Sequence, residues 1–210
     1  MVIAQGEISY IIKLQRNHVD EMDNWGIHND PLFLAYNFPK MDILQKHYWF
    51  YRKNYTFSRK CFVAFNNQNK LVGYIALRDI RMIRRSAEMG IVFDPNYLDK
   101  GYGTDALKAF IPYYFETMKM KKLILRVAEF NHRARKCYLN CGFKVEKLEY
   151  NPFEDQSVEV FKDKSIEYFR DYFKIEKGVL QCRFIHMLIT KEGYEKQKNI
   201  YPHYPPNTCA

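Results

Sequence analysis

The sequence predicts an α/β fold: a mixed six- to seven-stranded sheet flanked by helices, with a helix–strand extension at the C-terminal end. Three observations predict it. Three strand-like segments separated by short turns form an antiparallel meander in the middle of the chain. After it, helix and strand alternate in a short β-α-β rhythm, which needs crossover helices and some parallel pairing. Finally, 210 residues with 47% hydrophobic and 17% aromatic content can bury a real core, and no repeat, low-complexity segment or linker divides them. Residues 1–210 are read as a single domain, with 151–210 as its C-terminal extension.

The elements follow in order. Ser9–Leu14 reads as a short strand, Asn17–Trp25 as a polar helix, and Asn29–Lys40, with two prolines and several aromatics, as a loop. Met41–Asn54 is helical and carries Tyr48, Trp49, Phe50 and Tyr51. Cys61–Phe65 and Leu71–Leu77 flank the turn segment Asn66-Asn67-Gln68-Asn69, a hairpin signal. Ala87–Phe93 is a third strand, ended by Asp94-Pro95-Asn96. Beyond Gly101 and Gly103, apolar residues at Leu107, Phe110, Ile111, Tyr114, Phe115 and Met118 have helical spacing, and Pro112 predicts a kink or a loosened turn. Leu123–Val127, apolar apart from Arg126, is expected to be a central strand. Asn131 should cap a helix carrying Ala134, Cys137, Tyr138 and Cys141 on one face, and Gly142 should end it. Phe143–Leu148 is a strand, Asn151–Glu159 an acidic loop, Val160–Phe173 helix-like, Cys182–Thr190 a strand, and Tyr201–Ala210 a proline-containing tail.

The formal charge of +9 suits either an anionic partner or a solvated basic surface. The basic residues lie in small groups, such as Arg81, Arg84 and Arg85, or Lys119, Lys121 and Lys122. No helix-turn-helix or finger pattern accompanies them, so nucleic acid is not an expected partner. Five irregularly spaced cysteines do not form a disulfide framework and point to a reducing cytoplasm. Cys137, Cys141 and His132 lack a second ligand pair at zinc-site spacing, so no metal is expected. Neither the start of the chain nor any later stretch reads as a signal peptide or membrane span, which predicts a soluble protein without a membrane partner.

Chemistry concentrates in Tyr97–Leu107, YLDKGYGTDAL. A glycine turn before a helix N-terminus makes an anion site from unpaired amides and the helix dipole. Lys100 adds charge, Gly101 and Gly103 allow close approach, and Thr104 offers a hydroxyl. A lone G-x-G is also an ordinary turn, and this one is neither a Walker A loop nor a Rossmann fingerprint.

Thirty residues beyond Gly101 comes Asn131-His132-Arg133-Ala134-Arg135-Lys136-Cys137-Tyr138, then Cys141-Gly142-Phe143. Together with Ala87-Glu88-Met89-Gly90-Ile91, these stretches resemble the GNAT superfamily of acyl-CoA N-acyltransferases. The family's N-x-x-A-x-x-x-Y-x-x-x-G-F pattern is matched in full. Its [QR]-x-x-G-x-[GA] element reads Leu98–Gly103, with Leu98 in the polar position. The resemblance covers roughly Ser9 to Leu148, strongest from Ala87 to Phe143. In AEMGIVFDP…GYGTDAL the chain is most similar to the RimJ/RimL-like subgroup of ribosomal-protein N-terminal acetyltransferases.

The resemblance implies a GNAT fold and an N-acetyltransferase. It would move an acetyl group from acetyl-CoA to a primary amine, a protein N-terminus or a small molecule, by direct attack on the thioester. The alternative is a non-catalytic CoA-binding sensor or scaffold. The pantetheine arm would lie where strands Ala87–Phe93 and Leu123–Val127 splay, paired with backbone of Ile91, Val92 and Phe93. Lys100, Gly101, Tyr102, Gly103 and Thr104 would take the pyrophosphate. Arg133 and Lys136 would meet the ribose phosphate, or lie on a solvated helix face. Asn131 would both cap its helix and contact the cosubstrate. Tyr138 would protonate the leaving thiolate, or be a packed core tyrosine. Glu88 would act as base through water, or pair with Arg84 or Arg85. A backbone N–H around Ile91 would hold the oxyanion. Trp25, Tyr36, Phe38, Tyr48 and Trp49 would form an acceptor wall or core, and Glu154, Asp155 and Glu159 would attract a cationic amine or be merely solvated. The final strand and tail are candidates for a homodimer contact.

Overall fold

The computed structural model describes residues 1–200. The proline-containing tail expected at 201–210, and Cys209 within it, lie outside the described residues. The strands are β1 (Val2–Gln5), β2 (Ser9–Lys13), β3 (Lys60–Asn66), β4 (Leu71–Arg81), β5 (Ser86–Phe93), β6 (Lys122–Ala128), β7 (Lys144–Pro152), β8 (Phe173–Glu176) and β9 (Val179–Thr190). The helices are α1 (Arg16–Glu21), α2 (Ile43–Asn54), α3 (Tyr102–Pro112), α4 (His132–Asn140) and α5 (Lys191–Ile200). The strands form one mixed sheet in the order β1-β2-β3-β4-β5-β6-β9-β7, with β8 paired to β9. The pair β5–β6 is parallel.

Strand alternation divides the core between the two faces. On β3, Phe62 and Ala64 join Ile75 and Leu77 of β4 against Leu107 and Phe110 of α3. Cys61, Val63 and Phe65 point the other way, into a cluster with Val19 of α1 and Trp49 of α2. Both faces are covered, which is why β3 reads as an unbroken apolar run. β6 is central as expected, with β5 on one side and β9 on the other.

Pro112 ends α3. It has no N–H to continue the ladder, and a five-residue π-turn, Tyr113–Thr117, follows. There the Met118 N–H reaches back five residues to the Tyr113 carbonyl at 2.9 Å, the loosened turn that the proline foretold. Asn131 caps α4, its Oδ1 accepting from the Ala134 N–H at 3.1 Å. Gly142 follows α4 at φ +88°, a left-handed ending that favours glycine.

Two sequence expectations change. The sheet has nine strands because β1 and β8, four residues each, are too short to show a period. Residues Val160–Phe173 do not form a continuous helix. Asp163 accepts both the N–H and the hydroxyl of Ser165, a local turn that competes with helix, and Lys164–Tyr172 is 3-10 with a non-helical break at Ile166. The final strand lies within the sheet, where β9 is inserted between β6 and β7. The turn Lys177-Gly178, with φ +52° and +78°, folds β8 onto β9 as a tight hairpin. Phe153, Phe173 and Phe184 of this region pack around Phe130 and Leu32. That cluster draws the early loop toward the middle of the sheet.

Candidate active site

The site begins where two strands stop pairing. β5 and β6 are hydrogen-bonded in parallel only over Ser86–Glu88 and Lys122–Ile124. Both strands continue. β5 stays paired with β4 as far as Phe93, and β6 with β9 as far as Ala128. The edges of Met89–Phe93 and Leu125–Ala128 that face each other therefore separate. A cleft of about 700 Å³ opens between them, lined by Gly90, Ile91, Val92 and Phe93 from β5 and by Arg126 and Val127 from β6. Unpaired strand backbone at such an edge can accept an extended ligand.

The start of α3 opens into the same cleft, where Gly101, Tyr102, Gly103 and Thr104 are all lining residues. Gly101 is the N-cap at φ +84°, and no side chain caps the helix there. The first-turn amides are thus left for an anion. Only glycine holds that φ without strain. Lys100 is placed differently: its Nζ donates to the Asn96 carbonyl at 2.8 Å and lies 5.2 Å above the Tyr97 ring. The Thr104 hydroxyl donates to Cys137 Sγ at 3.4 Å.

Across the cleft, α4 contributes Asn131, Arg133, Lys136 and Tyr138. Arg133 pairs with Asp99 at 3.5 Å and stacks 5.9 Å from the Phe33 ring. Tyr138 is both packed and lining: it is 7% exposed, and its ring meets Phe143 at 5.9 Å. Burial pushes its phenol far above the usual tyrosine range, so it stays protonated through neutral and mildly alkaline pH.

Glu88 sits on the last rung before the strands part. Its Oε1 accepts from Arg78 Nη2 at 2.5 Å and Arg126 Nε at 3.1 Å, not from Arg84 or Arg85. Burial alone would raise this carboxyl, but the two guanidinium groups outweigh it and hold it below the ordinary range. Arg78 and Arg126 line the cleft, whereas Glu88, held by both, is not among its lining residues.

The aromatic wall divides. Tyr36 lines the cleft. Trp25, Phe38 and Trp49 interlock with Tyr74 at centroid distances of 5.5–6.1 Å, as core under α2. Tyr48 is 63% exposed and lies beneath Arg52. Of the acidic loop, Glu154 lines the cleft, whereas Asp155 holds Ser157 and Glu159 pairs with Lys162. Lys53, Arg59, Tyr74, Arg78 and Arg126 are lining residues that sequence reasoning did not nominate. Only Arg126, a charge inside an apolar strand, carried a visible signal.

Among the described residues the four cysteines are free thiols. No group of three or more His, Cys, Asp or Glu there is placed to hold a metal. Among the described residues no helix is long and apolar enough to cross a membrane.

The wedge, the uncapped helix start and the buried phenol converge on one cleft, and comparison with known proteins gives that arrangement a context. A family model described as an acetyltransferase (GNAT) domain matches residues 10–144. The spermidine N(1)-acetyltransferase of Vibrio cholerae is 34% identical over 85 residues, 40% of this chain and 49% of that protein. The Escherichia coli K12 protein of the same name is 36% identical over 74 residues, 35% of this chain and 40% of that protein. The matched stretch thus spans half or less of these curated relatives. A structure of spermidine N-acetyltransferase from Vibrio cholerae in complex with CoA and spermine superposes with a TM-score of 0.65 at 23% identity, covering 89% of this chain and 98% of that one. That likeness is one of fold.

Proposed function

Because this chain belongs to the acetyltransferase (GNAT) domain family, we propose that it transfers an acetyl group from acetyl-CoA to a primary amine by direct attack on the thioester. The observation that carries the reading is the parting of β5 and β6 just beyond Glu88, with the α3 amides and Tyr138 opening into the same wedge.

In this reading the pantetheine arm lies along Ile91, Val92 and Phe93. The amides of Gly101, Tyr102, Gly103 and Thr104 take the pyrophosphate. Asn131, Arg133 and Lys136 face the ribose phosphate, for which Arg133 exchanges its exposed contact with Asp99. Lys100 joins only by releasing the Asn96 carbonyl. The amine nitrogen attacks the thioester carbon, the C–N bond forms, and the oxyanion is held by a backbone N–H near Ile91. As the C–S bond breaks, Tyr138 gives its proton to sulfur and regains one from the newly acylated nitrogen. A raised phenol suits this relay, because it never enters the cycle as phenolate. Glu88 is the base acting through water. The two arginines oppose that role by lowering its basicity, so its variant is informative.

The acceptor is a small-molecule amine or a protein N-terminus. The polyamine acetyltransferases that this chain resembles support the first, and the RimJ/RimL-like character of AEMGIVFDP…GYGTDAL supports the second. We also propose one domain over 1–210 in a reducing cytoplasm, in keeping with its free thiols. A homodimer through the last strand and tail belongs to the same proposal, and sedimentation giving monomer alone removes it.

Acetyl-CoA should raise the melting temperature, and thiol release should accompany acetylation in an amine panel. Melting that is indifferent to CoA overturns the reading. CoA stabilisation with no amine acetylated would instead mark a binding module.

A further inference from the structure

The acceptor half of the cleft has a sign. Along β4, Ile75 and Leu77 face α3, whereas Tyr74 and Ala76 face the cluster under α2. Alternation places Arg78 on that second face. Lys53 at the end of α2 and Arg59 in the following turn line the cleft beside it. These three cations therefore lie across the sheet from the α3 amides, away from the phosphate end of the cosubstrate.

Few of these charges are answered locally: the cleft wall carries Glu154, but it forms no ion pair with any of the three cations among the described residues. Among the described residues, Lys53 and Arg59 have no ion pair, and Arg78 shares its one carboxylate, Glu88, with Arg126. Lys53 Nζ instead sits 5.0 Å over Trp49 and 5.3 Å over Tyr74. Burial, with help from Arg59 and Arg78, holds its ammonium below the usual lysine range. A protein that keeps three like charges together in a half-enclosed pocket is at an electrostatic disadvantage until an anion arrives. On this side of the cleft the face of Tyr74, which could stack a substrate ammonium, already carries the chain's own lysine.

Resting on the acetyl-transfer reading above, we propose that the acceptor is an amine that also carries a carboxylate, held among Lys53, Arg59 and Arg78, and not a polyamine. An amino acid and the acidic N-terminus of a peptide share that chemistry. Arg59 and Arg78 supply the planar fork that a carboxylate matches.

The test uses three acceptors of equal length that differ only at the far end: 5-aminopentanoate, pentylamine and cadaverine. The carboxylate should be preferred over cadaverine by about tenfold or more in kcat/KM, and added salt should shrink the preference. Arg59→Gln should reduce that ratio by about tenfold, and Arg59→Lys should retain most of it. Amidated Asp-Ala-Ala and Lys-Ala-Ala peptides separate a peptide source from a free amino acid. Faster turnover of cadaverine or spermidine, or a ratio unmoved by Arg59→Gln and Lys53→Gln, overturns the proposal. If no amine is acetylated, calorimetric titration of the CoA complex decides. Arg59-dependent binding of 5-aminopentanoate keeps the anion site while the transfer reading falls. Binding of cadaverine alone, or of neither, overturns the site.

Discussion

Arg126, two residues beyond the last paired rung of the two parallel strands, donates from Nε back to Glu88 Oε1 at 3.1 Å, at the apex of the wedge. The contact ties β5 to β6 where their hydrogen bonding ends. It also leaves the carboxylate bound to two guanidiniums, because Arg78 uses the same oxygen.

Glu88→Gln should therefore cost about 1–3 kcal/mol, since it leaves two partly buried cations facing each other. The sign of the pH effect follows from the lowered carboxyl. Its stabilisation is complete above the unfolded value, 4.5, and is lost as pH falls through the lower folded value. The stability gap between wild type and variant should be constant near neutrality and close below about pH 4.5, as chemical denaturation across pH can follow. If Glu88 is also the base, kcat falls in the variant while CoA affinity holds.

Tyr138→Phe should lower kcat about a hundredfold with little change in the Kd of CoA or in Tm. The ring, which does the packing against Phe143, is retained. A pH–rate profile should show no alkaline loss attributable to this phenol, whose titration burial has moved well above the usual range. Equal losses in CoA binding and turnover would assign Tyr138 to the core alone.

Asp105 fastens the start of α3 from outside the cleft. Its carboxylate accepts the Glu7 N–H at 2.8 Å, the Ile8 N–H at 3.2 Å and the Ser9 hydroxyl at 2.6 Å. It thus locks the β1–β2 turn onto the first turn of α3. Asp105→Ala should destabilise by about 2–3 kcal/mol and weaken CoA binding. Gly6→Ala should act in the same direction, because its Cβ would collide with that carboxylate. Thermal melts with and without CoA separate the two effects.

Gly90 and Gly101 make a contrasting pair. A Cβ at Gly90 would meet nothing within 4 Å, so Gly90→Ala should fold as well as wild type. It would still raise the KM for the acceptor, whose floor it narrows. At Gly101, φ +84° makes Gly101→Ala strained by about 1–2 kcal/mol, and the loss should appear in the Kd of CoA. Steady-state kinetics on both variants distinguish the two ends of the cleft.

Much of the framework was legible locally. The cap at Asn131, the left-handed ending at Gly142 and the loosened turn after Pro112 each depend on residues within one turn of one another. Short range is what propensity and periodicity can read. β1 and β8 escaped because four residues carry too little pattern, and Val160–Phe173 because Asp163 and Ser165 close a turn that a count of apolar spacing ignores. The insertion of β9 between β6 and β7 was also hidden, since strand order is set by contacts far apart in sequence.

What the sequence determined by itself was a glycine turn before a helix, a capped helix with its tyrosine, and the family that contains them. The tertiary structure alone decided which charges meet on the cleft wall. Lys53, Arg59, Arg78, Glu88 and Arg126 come from one helix, one turn and three strands. The strand pairings and the packing of α2 on the sheet bring them together. Coulombic fields depend on distance in space, and no spacing along the chain encodes that.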